Sequence, residues 1–321
     1  MNSWYYFVYI GLLFALAMFY FKVAQRYRII DLPNHRTMHE DATIRGGGII
    51  IFFGVLAFSL FMGTPGLYFV TGLLIIGITG LMDDIINLSS NLRFPLQVIS
   101  IFMILVELDL LSGSLWIILL LIIIATGILN AYNFMDGING ITGGYSLIAV
   151  ITMVYINNYT YQFTENSFLV TIILSLLVFN FFNFRTKAIC FAGDVGSLSI
   201  AFIIIYLLLK LIVETQQLIY ILFLTVYGID TIFTLIQRAA KKENIFKAHR
   251  QHLFQVLVSK LQVPHLYITV LYVVIQSMIN FVVIAAAPIN GQKQILYMGI
   301  LLSVLTLIYF VVKGKMMRSS S

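Results

Sequence analysis

Charge is scarce in this sequence. Of 321 residues only 10% are Asp, Glu, Lys or Arg, against roughly a quarter in an ordinary soluble domain, and that excludes a water-soluble globule. A single cysteine, Cys190, excludes an internal disulfide and reads as a small buried side chain. There is also no low-complexity tract, no clear internal repeat and no segment of soluble-domain composition. What the chain does have is apolar mass: 60% hydrophobic residues, 14% aromatics and a mean hydropathy of +0.98, which excludes disorder. At about 20 apolar residues per crossing, such a chain accommodates about ten spans. Residues 1–321 therefore read as one all-α polytopic membrane domain with short connections. In such a protein the net charge of +6 bears on orientation, and nucleic-acid binding need not be invoked.

Apolar runs bounded by Gly, Pro, Asn or charge predict eleven helices, at about 3–23, 46–63, 66–82, 94–110, 115–132, 141–157, 167–184, 195–213, 217–236, 266–287 and 294–312. The first has no basic residue before it and no small-residue cleavage site after it, so it reads as an anchor with its N-terminus outside. Alternating from there puts seventeen of the nineteen basic residues on one side, all but Lys210 and Lys293. The positive-inside rule makes that side cytoplasmic. Nine of the thirteen acids share it, leaving Glu107, Asp109, Glu165 and Glu214 outside. The expected cytoplasmic loops are about 24–45, 83–93, 132–141, 185–194 and 237–265, and polar chemistry belongs there.

Five polar constellations stand on that face. The first runs from Asp31-Leu-Pro-Asn through Arg36 and His39 to Arg45-Gly-Gly-Gly48. The glycines allow close approach of backbone to a ligand or helix, and the helix start suits an anion; a lipid-binding basic segment is the plainer alternative. The second, Asp83-Asp84 followed by Arg93, needs a metal, a proton or a cation to relieve carboxylate repulsion. The third joins Asn130, Asn133, Asp136 and Asn139 to four glycines in eight residues, and irregular backbone at membrane depth implies a protein-walled cavity. The fourth, Gly193-Asp194-Val-Gly-Ser197, opens a span, so Asp194 either faces a hard cation beside phosphate-binding amides or simply caps the helix. The fifth is the basic loop with His249, Arg250 and His252, with Asp230 in the preceding helix. It resembles a phosphate clamp more than a zinc site. Together these are parts for Mg²⁺-assisted chemistry on a diphosphate.

This ordered set resembles the polyprenyl-phosphate N-acetylhexosamine-1-phosphate transferases, the MraY/WecA family or glycosyltransferase family 4, over about residues 1–315. The resemblance implies transfer of a sugar-1-phosphate from a UDP-N-acetylhexosamine to undecaprenyl phosphate with release of UMP. It also implies a bundle of ten or eleven helices with a cytoplasmic active-site cleft in a bacterial inner membrane, and it allows a homodimer. Mg²⁺ is the implied cofactor, with Mn²⁺ as a substitute. By motif, Asp194 matches the metal aspartate, and Asp83 and Asp84 match the catalytic pair that engages lipid phosphate or metal. Asn133 and Asp136 match the nucleotide and catalytic segment, Asn183 matches the asparagine upstream of the metal motif, and both asparagines are implied substrate contacts. His252 matches the catalytic histidine loop, with Arg45, His249 and Arg250 as substrate contacts.

Two departures bear on specificity. Position 139 is Asn where the WecA-like pattern usually has Asp, and the triple histidine of the MraY type is replaced by His249-Arg-Gln-His252. The latter argues against a muramoyl-pentapeptide substrate and toward the WecA/WbpL-like enzymes that initiate O-antigen or capsular polysaccharides. A transporter of an anionic metabolite is the competing class. It is opposed by an outer half almost free of ionisable residues. A phosphatidyltransferase is weaker, because Asp136-Gly137 lacks the following Ala-Arg.

Overall fold

The computed structural model describes residues 3–32, 42–244, 250–289 and 291–318. His249, Arg36 and His39 lie outside them. Among the described residues there are twelve α-helices: α1 (Ser3–Arg26), α2 (Ile49–Met62), α3 (Leu67–Ile86), α4 (Ser90–Glu107), α5 (Leu115–Met135), α6 (Ile141–Tyr159), α7 (Asn166–Asn183), α8 (Gly193–Thr215), α9 (Thr225–Ala240), α10 (Leu253–Leu261), α11 (His265–Ala286) and α12 (Gly291–Arg318). A 3-10 turn, Leu218–Leu224, leads into α9 and makes one continuous apolar segment with it. Among the described residues nine such segments are long and apolar enough to cross a membrane. The 14-residue α2 is too short for that set, and α6, with Thr142, Thr152, Asn157 and Asn158, falls outside it too. The architecture is that of an all-α polytopic membrane protein.

The eleven apolar runs all become helices, and two additions appear. The nine-residue α10 sits inside the expected 237–265 loop. In the 24–45 connection, Ile30–Asp31 (β1) pairs antiparallel with Thr43–Ile44 (β2), and Ile44 also bridges to Cys190. The other connections are shorter than expected. α3 continues to Ile86, where Asn87 ends it in a left-handed conformation, so the 83–93 loop shrinks to three residues and Asp83 and Asp84 lie within the last turn of α3.

α8 is the axis of the bundle, with 83% of its apolar window buried. It packs on α2, α3 and α5, and its contact with α2 is nearly backbone on backbone: a Cβ at Gly48 would come 2.1 Å from the Gly196 Cα. Close helix approach through small residues is the usual packing device in a membrane, where no hydrophobic drive joins helices. The peripheral α12 is at the other extreme, with 6% of its window buried.

Three carboxylates inside the bundle hold helix starts in place. Glu107, at the end of α4, accepts the amides of Gly66, Tyr68 and Phe69 at 2.7, 3.1 and 3.3 Å, capping α3. Asp84 does the same for α8, and Asp230 for α10. Each meets the orphan N–H groups and the positive pole of a helix that begins far away in sequence.

Candidate active site

Asp84 is the keystone of the first cluster. Its side chain is 0% exposed, and it accepts the backbone amides of Asp194 (2.9 Å) and Val195 (3.0 Å) and the Arg45 Nε (2.7 Å). The neighbouring Gly193 has φ +69°, and a Cβ there would fall 2.5 Å from Asp84 Oδ2, so only glycine lets the carboxylate reach the head of α8. This arrangement corrects one sequence expectation: the amides at 194 and 195 are taken by Asp84, not presented to phosphate. Asp194 is also not the cap of its own helix. Its carboxylate instead meets two guanidinium groups: Arg45 Nη2 stands 3.3 Å from Oδ1 and Arg93 Nη1 stands 3.1 Å from Oδ2.

Asp83 completes the cluster. It accepts the Leu88 amide at 2.6 Å and the Arg93 guanidinium at 2.6 Å. Three carboxylates thus share two guanidinium groups, a formal excess of one negative charge. Proximity to Asp84 and Asp194 holds the Arg45 guanidinium more firmly protonated than usual, against the opposing effect of its own burial. Arg93, noted in the sequence only as a partner for Asp83, is in fact the bridge between Asp83 and Asp194. The three-glycine run is a packing device rather than an anion site, since the Gly47 and Gly48 amides donate to the carbonyls of Phe191 (2.8 Å) and Ala192 (3.0 Å).

The second cluster surrounds Asp136, at the end of α5. Thr142 donates to its carboxylate at 2.7 Å, while Asn133 reaches Ser197 at 3.4 Å. Burial raises the Asp136 pKa to about 7 from 3.8. A raised carboxylate pKa means that the folded state keeps a proton the unfolded chain has lost. The stability this group contributes is complete below about pH 3.8 and is lost as pH rises toward about 7. Thermal unfolding in detergent should therefore show a midpoint that falls across that interval, and Asp136→Asn should flatten that part of the profile.

Asn183, expected to contact substrate, is turned into the protein. Its Oδ1 accepts the Gly140 amide at 2.8 Å and its Nδ2 donates to the Cys190 carbonyl at 2.8 Å, so it fastens the Asp136 turn to the segment leading into Asp194. Asn139 does related work, donating to the carbonyls of Arg185 (2.8 Å) and Thr186 (3.0 Å). That explains Asn at this position: an ionised Asp would set an acceptor against two acceptors. Asn139→Asp is expected to lower stability by about 1–3 kcal/mol, read as a drop in thermal midpoint.

His252 heads α10 in a capping box with Gln255, whose side chain accepts the His252 amide at 3.3 Å. Its ring lies 6.0 Å from that of Phe254 and 6.3 Å from that of Phe134, and Phe254 in turn packs over Gly137, so the histidine loop abuts the Asp136 turn. Arg250 stands three residues before α10 in the chain. Beneath it Asp230 accepts Leu253 N (2.7 Å), Phe254 N (3.4 Å) and the Tyr272 hydroxyl (2.8 Å), with His252 Nδ1 at 3.7 Å. The sequence signal for Asp230 is its place as an acid inside an apolar span.

No three or more His, Cys, Asp or Glu side chains among the described residues are arranged to enclose a metal ion. Asp194 and Asp83 nevertheless offer hard oxygen donors in a cluster with excess negative charge. Mg²⁺ characteristically uses one or two carboxylates and takes its remaining ligands from water and substrate phosphates, so this donor set fits an ion that arrives with a diphosphate.

The family model described as glycosyl transferase family 4 matches residues 66–212, the segment that holds Asp83, Arg93, Asp136, Asn183 and Asp194. The chain is similar to a Bacillus subtilis (strain 168) protein named probable undecaprenyl-phosphate N-acetylglucosaminyl 1-phosphate transferase, 29% identical over 258 residues, covering 74% of this chain and 72% of that protein. It is 27% identical over 264 residues to the undecaprenyl-phosphate alpha-N-acetylglucosaminyl 1-phosphate transferase of Salmonella typhi, covering 74% and 71%. A putative dolichyl-phosphate N-acetylglucosaminephosphotransferase of Sulfolobus acidocaldarius is 28% identical over 192 residues, covering 51% of this chain and 57% of that protein. The matched segment carries the carboxylate cluster and the likeness to these transferases runs over 74% of the chain: the chain is similar to glycosyl transferase family 4.

Proposed function

We propose that the protein transfers an N-acetylhexosamine-1-phosphate unit from a UDP-sugar to undecaprenyl phosphate, releasing UMP and starting a cell-surface polysaccharide. The observation that carries this reading is the convergence of Asp83, Asp84, Asp194, Arg45 and Arg93, drawn from four segments, at one end of the bundle. That end is the one with the basic loops, so the reading places it in the cytoplasm, the N-terminus outside and eleven crossings in the inner membrane.

In the reaction, an oxygen of the lipid phosphate forms a bond to the β-phosphorus of the UDP-sugar. The bond from that phosphorus to the α–β bridging oxygen breaks, and its electron pair leaves with UMP. Asp194 would hold Mg²⁺, which when bound supplies charge neutralisation to the diphosphate. Arg45 and Arg93 exchange their contacts with Asp194 for phosphate oxygens and orient both reactants. Asp83, less enclosed than Asp84, takes any proton left on the lipid phosphate, while Asp84 holds α8 in place. Asn133 and Asp136 line the nucleotide side, and His252 and Arg250, with His249, supply the clamp for the departing phosphate.

A transporter is disfavoured by the outer half. An outer cavity of about 400 Å³, lined by Glu107, Glu165 and Lys210, ends on Phe168 and Tyr206. Phe69 packs behind them, edge-on to Phe168 at 5.7 Å and tilted against Tyr206 at 4.6 Å and Phe202 at 5.4 Å, and these rings stand between the cavity and the carboxylate cluster. Purified protein given undecaprenyl phosphate, Mg²⁺ and a panel of UDP-N-acetylhexosamines should release UMP with at least one of them. Release without the lipid, or none with any sugar, contradicts the reading.

A further inference from the structure

We infer that Lys313, on the last and most peripheral helix, is a positioning residue for the histidine loop, acting through Asp230. α12 barely packs against the bundle, yet Tyr309 and Lys313 are buried at 4% and 5% exposure. Their burial is specific. The Lys313 ammonium donates to Thr234 Oγ1 at 2.9 Å and to the Tyr309 hydroxyl at 2.6 Å, and lies 5.0 Å from the Tyr309 ring centre. Thr234 donates to Asp230 Oδ1 at 3.3 Å. Phe233 packs on Tyr309 and Phe310, locking the register of α12 against α9.

The protons in this chain all point one way, from ammonium through hydroxyl to carboxylate. A lysine inside a span is costly unless it is paired, and an enclosed Asp230 needs a cation within reach to remain an acceptor. With Lys313 present, Asp230 receives the Leu253 and Phe254 amides and fixes the head of α10, and with it His252. The last helix thereby governs where the loop bearing Arg250 and His252 stands, though it contributes no group to the reacting atoms. The kinetic part of this inference rests on the function proposed above; the structural part does not.

The test uses the full-length protein in detergent or nanodiscs and compares Lys313→Met, Lys313→Arg and Thr234→Val. Amide exchange at Leu253 and Phe254 should quicken at least about tenfold in Lys313→Met, while exchange at the head of α8 stays at the parent rate. The KM for the UDP-sugar should rise at least about tenfold with a smaller change in kcat. Lys313→Arg should restore most of both, and Thr234→Val, which cuts the relay without removing a charge, should repeat the Lys313→Met pattern. Parent-like exchange at α10 in Lys313→Met overturns the inference. So does a loss of protection spread evenly over the bundle, or an arginine variant as impaired as the methionine one. If the parent itself releases no UMP, the exchange measurement still decides the structural link, and the functional reading alone fails.

Discussion

Asp194→Asn is expected to lower lipid-dependent UMP release by about 10³-fold or more while the protein inserts and melts like the parent. The separation of these two outcomes follows from charge. Asp194 is one of three carboxylates facing two guanidinium groups, so neutralising it leaves Asp83 with Arg93 and Asp84 with Arg45 as two balanced pairs. The asparagine carbonyl still accepts from Arg45 or Arg93, and the α8 cap, supplied by Asp84, is untouched. What is lost is the anionic oxygen proposed to hold the metal. A thermal midpoint at or above that of the parent, together with near-complete loss of activity, is the expected pair of results. Full activity in this variant would contradict the proposal that Asp194 holds a metal ion.

Asp84→Asn is expected to do the opposite in kind, lowering stability by about 3 kcal/mol or more and activity with it. Removing one partner of an enclosed ion pair leaves the other charge uncompensated, and here Arg45 would lose the carboxylate 2.7 Å from its Nε. The amide that replaces the acid would also point an N–H at one of the two α8 amides. α8 is the most deeply buried helix, so loosening its first turn loosens the Asp194 turn as well. Scanning calorimetry or thermal shift in detergent measures the first effect. A parent-like midpoint would show that the cap contributes little, and that Asp84 is available for the chemistry after all.

The contrast between adjacent aspartates shows what could be read from the chain and what could not. Spans were legible because apolar runs near 20 residues have few alternatives in a membrane. The face carrying the chemistry was legible because Asp83, Asp136 and Asp194 all terminate or begin such runs on the basic side. Which carboxylate does structural work was not legible, because it depends on partners 110 residues away, as with Asp84 and the Asp194 amide. α10 has no clear sequence signal for the same reason. Nine residues make a marginal helix on their own, and this one is held by Asp230 from α9 and by the Gln255 capping box. Asn183 reads as a ligand-facing amide in sequence, yet it binds two backbone segments that only the fold brings together.

The central claim is that the β-phosphorus of the donor moves with its sugar onto a lipid phosphate. The most direct measurement supplies UDP-N-acetylglucosamine carrying a radiolabelled β-phosphorus to the purified protein with undecaprenyl phosphate and Mg²⁺, then separates lipid from water-soluble products. The account predicts label in the lipid fraction, in equal amount to unlabelled UMP in the aqueous one. Label retained in UDP, with unlabelled sugar on the lipid, would contradict it.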